Sequence, residues 1–298
     1  VNVATTSGHG SLRRLAGIDD GTREPSEAQV ARLVELLEAD LAAGSFGLST
    51  GLEYVPGRYA AAAELAALGR VVARHDGFAA SHLRSEDDEL VEDAIREHIE
   101  ASRPARTHVS HLKVVFGKGE ERAERLLTEL QRQREAGVPL TADVYPYTAS
   151  FTTIGILFPE WALPPNDYAQ VVAARRGELR DALERLTTRR NGPGAVLFGT
   201  GPNAGKTLAQ VAEASGEAWP DVLVALGPRG GSAAYFVMDE TLQARLLRDP
   251  FVAVASDGSP GGRHPRGHGT YAKWIEEFAV RDRRVPLEAA VRKASGLP

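Results

Sequence analysis

Apolar residues recur at helical spacing over residues 27–43, where Val30, Leu33, Val34, Leu37 and Leu41 fall on one face. That spacing predicts a helix, and Ser26 stands where its N-cap would be. The same period predicts helices over 60–75 (closed by Gly77), 86–102, 118–136 (closed by Gly137) and 168–189. The acidic opening of the 86–102 segment suits the positive end of a helix dipole. Short apolar or alternating runs at 78–83, 107–113, 140–145, 195–198, 234–237 and 251–255 each predict a strand. Residues 1–4 read as a further strand, and a Gly-rich loop at 258–269 follows the last one. Strands alternating with helices imply a parallel sheet, open or closed into a barrel.

Composition narrows the function classes. The 298 residues suffice for one large α/β domain, and they contain no internal repeat or low-complexity linker. Hydrophobic residues at 43% and charged residues at 25% fit an ordinary globular protein. A net charge of -5 argues against a nucleic-acid partner, which calls for a basic excess. No apolar run approaches the ~20 residues of a membrane helix, and the opening Val1-Asn2-Val3 is no secretory signal, so a cytoplasmic chain is expected. That opening, without Met, also suggests a fragment or a trimmed chain. With no cysteine, any metal must be held by His, Asp or Glu.

Candidate chemistry gathers at the strand ends. His82, His111, Asp143, Tyr145 and Asp257 all close predicted strands, the end where parallel α/β folds collect ligands and catalytic groups. One such histidine would more often be a plain hydrogen-bonding residue. Two on neighbouring strands, with an aspartate on a later one, can hold one metal and deprotonate its water. A competing pattern runs from Gly199 to Thr207, with Lys206 and Thr207 placed as in a phosphate loop. Thr200 stands where that pattern needs glycine, and Pro202 removes a backbone donor, so a plain loop leading into a helix is the better reading.

Five ordered motifs resemble the N-acyl-D-amino-acid deacylases of the amidohydrolase superfamily. They are Gly47-Leu-Ser-Thr-Gly-Leu-Glu-Tyr-Val-Pro-Gly57, Ser81-His-Leu-Arg-Ser-Glu86, Val109-Ser-His-Leu-Lys113, Asp143-Val-Tyr-Pro-Tyr-Thr-Ala-Ser150, and Ser256-Asp-Gly258 with His264-Pro-Arg266 following. Gly8-His9-Gly10 and Gly205-Lys206-Thr207-Leu208 also look like family segments. The resemblance implies a (β/α)8 barrel forming one catalytic domain over 1–298, incomplete at its N-terminus and without the family's small β-domain. It implies Zn2+ held by His82 and His111, with Asp257 as catalytic acid/base. It also implies a small-molecule N-acyl-D-amino acid whose carboxylate meets Lys113, Tyr145 or Tyr147, and Arg266. His9 is expected to shape its loop, and Glu86 to brace Arg84 or His82 or simply to open a helix. Family members carry an H-x-H pair and a cysteine ligand upstream of Gly8-His9-Gly10, so weak metal binding is expected of the chain as it stands. Phe151 replaces a usual serine, which puts one substrate contact in doubt.

Overall fold

The computed structural model describes residues 3–259 and 262–297. The chain opens with β1 (Ser7–Gly8), α1 (His9–Leu15), α2 (Glu27–Ala42), β2 (Gly47–Gly51) and α3 (Ala62–Arg74). Next come β3 (Phe78–His82), α4 (Val91–Ser102), β4 (Arg106–Val109), α5 (Gly119–Glu135) and β5 (Leu140–Val144). A cap follows, with β6 (Ser150–Thr153), α6 (Tyr168–Arg189), β7 (Val196–Phe198), α7 (Leu208–Ser215), α8 (Trp219–Leu226) and β8 (Ser232–Tyr235). The chain returns through α9 (Glu240–Arg248), β9 (Val252–Val254), α10 (Arg266–Lys273), a π-helical stretch Trp274–Arg281 and α11 (Leu287–Ser295). No helix among the described residues is long and apolar enough to cross a membrane.

Six strands pair in parallel in the order β1-β2-β3-β4-β5-β9. Parallel neighbours need long crossovers, and helices α2, α3, α4 and α5 supply them. The strands are apolar because helices cover them: Val109, Leu140, Val144 and Val252 pack with Ile95, Ile99, Leu126 and Leu246 in one core. A second core sets Leu48 against Leu33, Leu37, Leu68 and Val72. Gly47 lets β2 approach β3, since a Cβ there would lie 1.9 Å from the Phe78 carbonyl oxygen.

Several expectations need correction. The strands expected at 195–198 and 234–237 do not join the parallel sheet. With β6, which no periodicity announced, they form a separate antiparallel sheet, β6-β8-β7, over its own core of Ile154, Leu157, Leu183, Val196 and Tyr235. The helix expected from residue 86 starts at Val91 instead; residues 86–90 run through a bridge between Asp87 and Val115, so Glu86 caps nothing. The strand over 107–113 ends at Val109, which leaves His111 in a turn. Helix α10 takes up the end of the expected 258–269 loop. Of the strand expected at 1–4, residues 1 and 2 lie outside the described residues, and 3–4 are not strand. The capping box that Ser26 makes with Gln29 is present as expected.

One buried histidine makes the fold acid-sensitive. His98 on α4 is 3% exposed, with Nε2 3.1 Å from the His108 carbonyl oxygen and Nδ1 3.2 Å from Ser102 Oγ. Burial lowers its pKa to about 4. The unfolded chain, with a pKa near 6.5, therefore binds a proton that the folded chain refuses. Stability is full above about pH 6.5 and falls as pH drops towards 4. Between pH 7 and 5 this amounts to roughly 2 kcal/mol. In His98→Gln, the gap between urea midpoints at pH 7 and pH 5 should shrink accordingly, and an undiminished gap would refute the assignment.

Candidate functional site

The site is assembled where β2, β3 and β4 end. Gly51 and His82 are register partners at the ends of β2 and β3, so the turn after β2 lies beside His82. That turn folds back tightly: a Cβ on Gly57 would meet the Gly51 carbonyl oxygen at 2.3 Å. It carries Glu53, whose Oε2 accepts from His82 Nε2 at 2.8 Å.

His111 sits two residues past β4 in a left-handed conformation, φ 41°. Asp143 holds it there. One carboxylate oxygen accepts from the His111 backbone N–H at 2.7 Å, and the other pairs with His108 Nε2 at 2.8 Å. Burial would raise the Asp143 pKa, but the hydrogen bonds and charges of His108 and His111 reverse this and lower it. Asp143, one of the strand-end carboxylates, therefore shapes the turn that presents His111.

The two imidazoles face each other, with His82 Nδ1 3.0 Å from His111 Nε2. Glu86 stands behind His111, its Oε1 3.2 Å from Nδ1 and 2.5 Å from Lys113 Nζ. Burial would raise Glu86, yet Lys113 first, then His82 and His111, hold it well below the usual carboxylate range. Burial would lower Lys113, yet Glu86 holds it above its ordinary value. Burial and the Lys113 charge both lower His111, which favours the neutral ring that can act as a ligand.

His82, Glu86 and His111 offer donor atoms that all lie within 4.8 Å of one another. An ammonium packed against Glu86 Oε1 makes that oxygen a poor place for a second cation. The facing nitrogens are the better pair, because two ligands about 2.05 Å from one tetrahedral zinc lie roughly 3.3 Å apart. Each ring is held at its far nitrogen, His82 by Glu53 at 2.8 Å and His111 by Lys113 Nζ at 2.8 Å and Glu86 at 3.2 Å. The residues present fit a divalent metal.

The cleft beside them measures about 340 Å³ and is also lined by Lys113, Tyr145, Asp257 and Arg266. Asp257 is left-handed too, φ 44°, and its Oδ2 lies 2.8 Å from an Arg266 nitrogen. Arg266 also donates to the Phe151 carbonyl at 3.2 Å, and its guanidinium lies 4.7 Å from the Tyr145 ring centre. Phe151 thus contributes its backbone oxygen, and its ring closes over Gly199, where a Cβ would meet it at 2.4 Å. Tyr145 is 1% exposed, and its buried hydroxyl has no hydrogen-bond partner among the described residues. His264 Nδ1 accepts from the Arg266 backbone N–H at 3.0 Å, and burial together with Arg266 lowers its pKa to about 4.

Tyr147, expected beside Tyr145, does not line this cleft. Its hydroxyl reaches the Pro265 carbonyl, and its ring borders a separate cavity of about 280 Å³ with Lys273 and Glu277. Both tyrosines lie past the end of β5, where strand alternation no longer sets direction, and the Tyr147 backbone N–H closes a tight turn onto the Tyr145 carbonyl at 3.0 Å that carries the second ring away from the cleft. His9 is buried against Glu64 and Arg13, in keeping with a shaping role. Lys206 is exposed, Thr207 caps α7, and the N–H groups of Phe198 and Gly205 are engaged within the 198–206 loop, so no phosphate cradle forms.

Sequence comparison places this geometry among known proteins. No family model matches the chain. It is 33% identical over 302 residues to N-acyl-D-glutamate deacylase of Alcaligenes xylosoxydans xylosoxydans, an alignment covering 100% of this chain and 56% of that protein. The resemblance to the N-acyl-D-amino-acid deacylases holds along the whole chain. D-aminoacylase of the same organism is 30% identical over 305 residues, again covering 56% of that protein. Among solved structures, N-acyl-D-glutamate deacylase from Bordetella bronchiseptica, complexed with zinc and a phosphonate inhibitor, superposes with a TM-score of 0.79 at 30% identity. A crystal structure of D-aminoacylase gives 0.78 at 27% identity. Both matches cover 100% of this chain and 57% of the other, so the chain spans little more than half the length of these deacylases.

Proposed function

We propose that the protein hydrolyses N-acyl-D-amino acids to a carboxylate and a free D-amino acid, with zinc held by His82 and His111. The observation that carries this reading is the pair of braced, facing imidazole nitrogens, 3.0 Å apart, in a cleft shared with Asp257. The likeness to deacylases over the whole chain supports it. The six parallel strands are read as part of a (β/α)8 barrel that forms one catalytic domain over 1–298.

A bound divalent metal supplies an acidified water and a polarised acyl carbonyl. Asp257 takes the water's proton and returns it to the leaving nitrogen. Tyr145, whose hydroxyl is unspent, and Arg266 and Lys113 beside it, hold the amino acid's carboxylate and so position the amide. Glu53 and Glu86 keep the two rings aimed at the metal.

The zinc-loaded protein is expected to release amino acid from N-acetyl-D-amino acids and not from their L-isomers, as measured by amine detection. Absence of turnover on every D-isomer at full zinc occupancy would overturn the proposal.

A further inference from the structure

The cleft does not end at the two imidazoles. Beside the turn after β2 it opens into a cavity of about 870 Å³, and the two share Glu53, Tyr54, Thr152, Ile156 and Arg190. Tyr54 marks the passage, its ring centre 4.7 Å from that of His82. Arg190, at the end of α6, faces Glu53 across the passage at 3.9 Å. Beyond it the wall is apolar, built from Val55, Ile156, Phe158, Leu163, Pro164 and Leu186. Phe158 and Leu163 belong to the buried core of the cap, whereas Val55, Ile156, Pro164 and Leu186 are only half-buried. Glu160 and Arg229 are exposed and so stand at the rim. Half-buried apolar side chains around a cavity of this size gain by exchanging water for an apolar ligand.

Strand order decides which end of the substrate reaches this cavity. In the run β2-β3-β4-β5-β9, His82 and His111 follow β3 and β4, in the middle. Tyr145 and Asp257 follow β5 and β9 on one side, and Glu53 and Tyr54 follow β2 on the other. The proposed function gives the amino-acid half of the substrate to the β5–β9 side. There Tyr145 and Arg266 hold the α-carboxylate, and Asp257 returns a proton to the leaving nitrogen. A planar trans amide carries its acyl chain and its α-carbon at opposite ends. With the carbonyl at the imidazoles, the acyl chain therefore runs towards Tyr54 and the cavity behind it.

We propose that the cavity beyond Tyr54 is an acyl-chain subsite, so that the favoured substrate carries an apolar alkanoyl chain longer than acetyl. This rests on the proposed function. Such a chain asks no hydrogen bond of the wall, and each methylene that leaves water adds to binding.

The test is a kcat/KM series on the zinc-loaded protein with N-acetyl-, N-butanoyl-, N-hexanoyl- and N-octanoyl-D-alanine. The value should rise about 2- to 4-fold for each added methylene over the first members of the series. Leu186→Gln and Val55→Asn place an amide on two separate walls, and in each the octanoyl-over-acetyl ratio should fall about 10-fold. A flat or falling series in a protein that turns over N-acetyl-D-alanine would overturn the proposal and leave the hydrolase reading standing. A gain that follows the amino-acid side chain instead, from N-acetyl-D-alanine to N-acetyl-D-norleucine, and is lost in Leu186→Gln would reverse the orientation and overturn it too. Calorimetric binding of the same series to Asp257→Asn, with and without Leu186→Gln, separates the inference from the function. Affinity that climbs with acyl length and depends on Leu186, without any turnover in the parent protein, would sink the hydrolase reading and leave the subsite standing.

Discussion

Asp257→Asn is expected to lower kcat for N-acyl-D-amino acids by about 10²–10⁴-fold while leaving zinc content unchanged. The carboxylate lies in the cleft and pairs with Arg266 at 2.8 Å, and it makes no hydrogen bond or ion pair with His82 or His111. Asparagine keeps the size and can still accept from Arg266, so the loop should survive; what disappears is the ability to take a proton and return it. The change should therefore appear in kcat far more than in KM. Because Arg266 loses a charged partner, KM for the α-carboxylate should if anything fall. Metal analysis and single-turnover kinetics on the same preparation check both halves. Residual activity near the parent level would remove Asp257 from the mechanism.

The second large effect is on stability. Lys113 and Glu86 are 3% and 7% exposed and pair at 2.5 Å, so removing one strands the other charge in the interior. Lys113→Met should destabilise the protein by about 3–5 kcal/mol. Glu86→Gln combined with Lys113→Met should restore much of that loss, since a neutral pair has no charge to strand. Urea unfolding of the two single variants and the double variant gives the coupling energy directly. Strict additivity would show that the pair is not coupled. The pH window follows from the shifts. Glu86 is lowered, so its contribution is present above the unfolded carboxylate pKa and is lost on acidification through the folded one. Lys113 is raised, so its contribution is present below the unfolded lysine pKa and is lost as pH rises through the folded one. Near neutral pH both contributions are in place.

The parallel half of the fold was legible because each strand there is an apolar run bracketed by amphipathic helices, and α2, α3 and α5 lie close to their expected limits. Of the cap, α6, β7 and β8 were legible as elements, but their separate antiparallel sheet and its edge strand β6 were not. Ser150–Thr153 is a mostly polar strand with no apolar alternation, and it is held by pairing with Ser232–Tyr235, far along the chain, which a local window cannot detect. At the site, His82, His111, Tyr145 and Asp257 come to one cleft as their strand-end positions suggested, and Lys113 and Arg266, named by the resemblance, join them. Glu53 and Arg190 went unnoticed because their roles depend on which elements meet in space: a turn after β2 and the end of a helix in the cap. Glu86 was expected to brace Arg84 or His82 or to open a helix; the helix forms five residues later, and Glu86 Oε1 lies 3.9 Å from His82 Nδ1 and 3.2 Å from His111 Nδ1.

The left-handed backbone at His111 and Asp257 has a consequence for any attempt to improve this protein. Each non-glycine residue in that region costs of order 1–3 kcal/mol, and glycine would relieve most of it. Asp76, Phe116, Asn191 and Arg283 are left-handed too and lie outside the cleft, so directed evolution for heat resistance can gain freely there, whereas glycine at His111 or Asp257 would trade the proposed chemistry for stability.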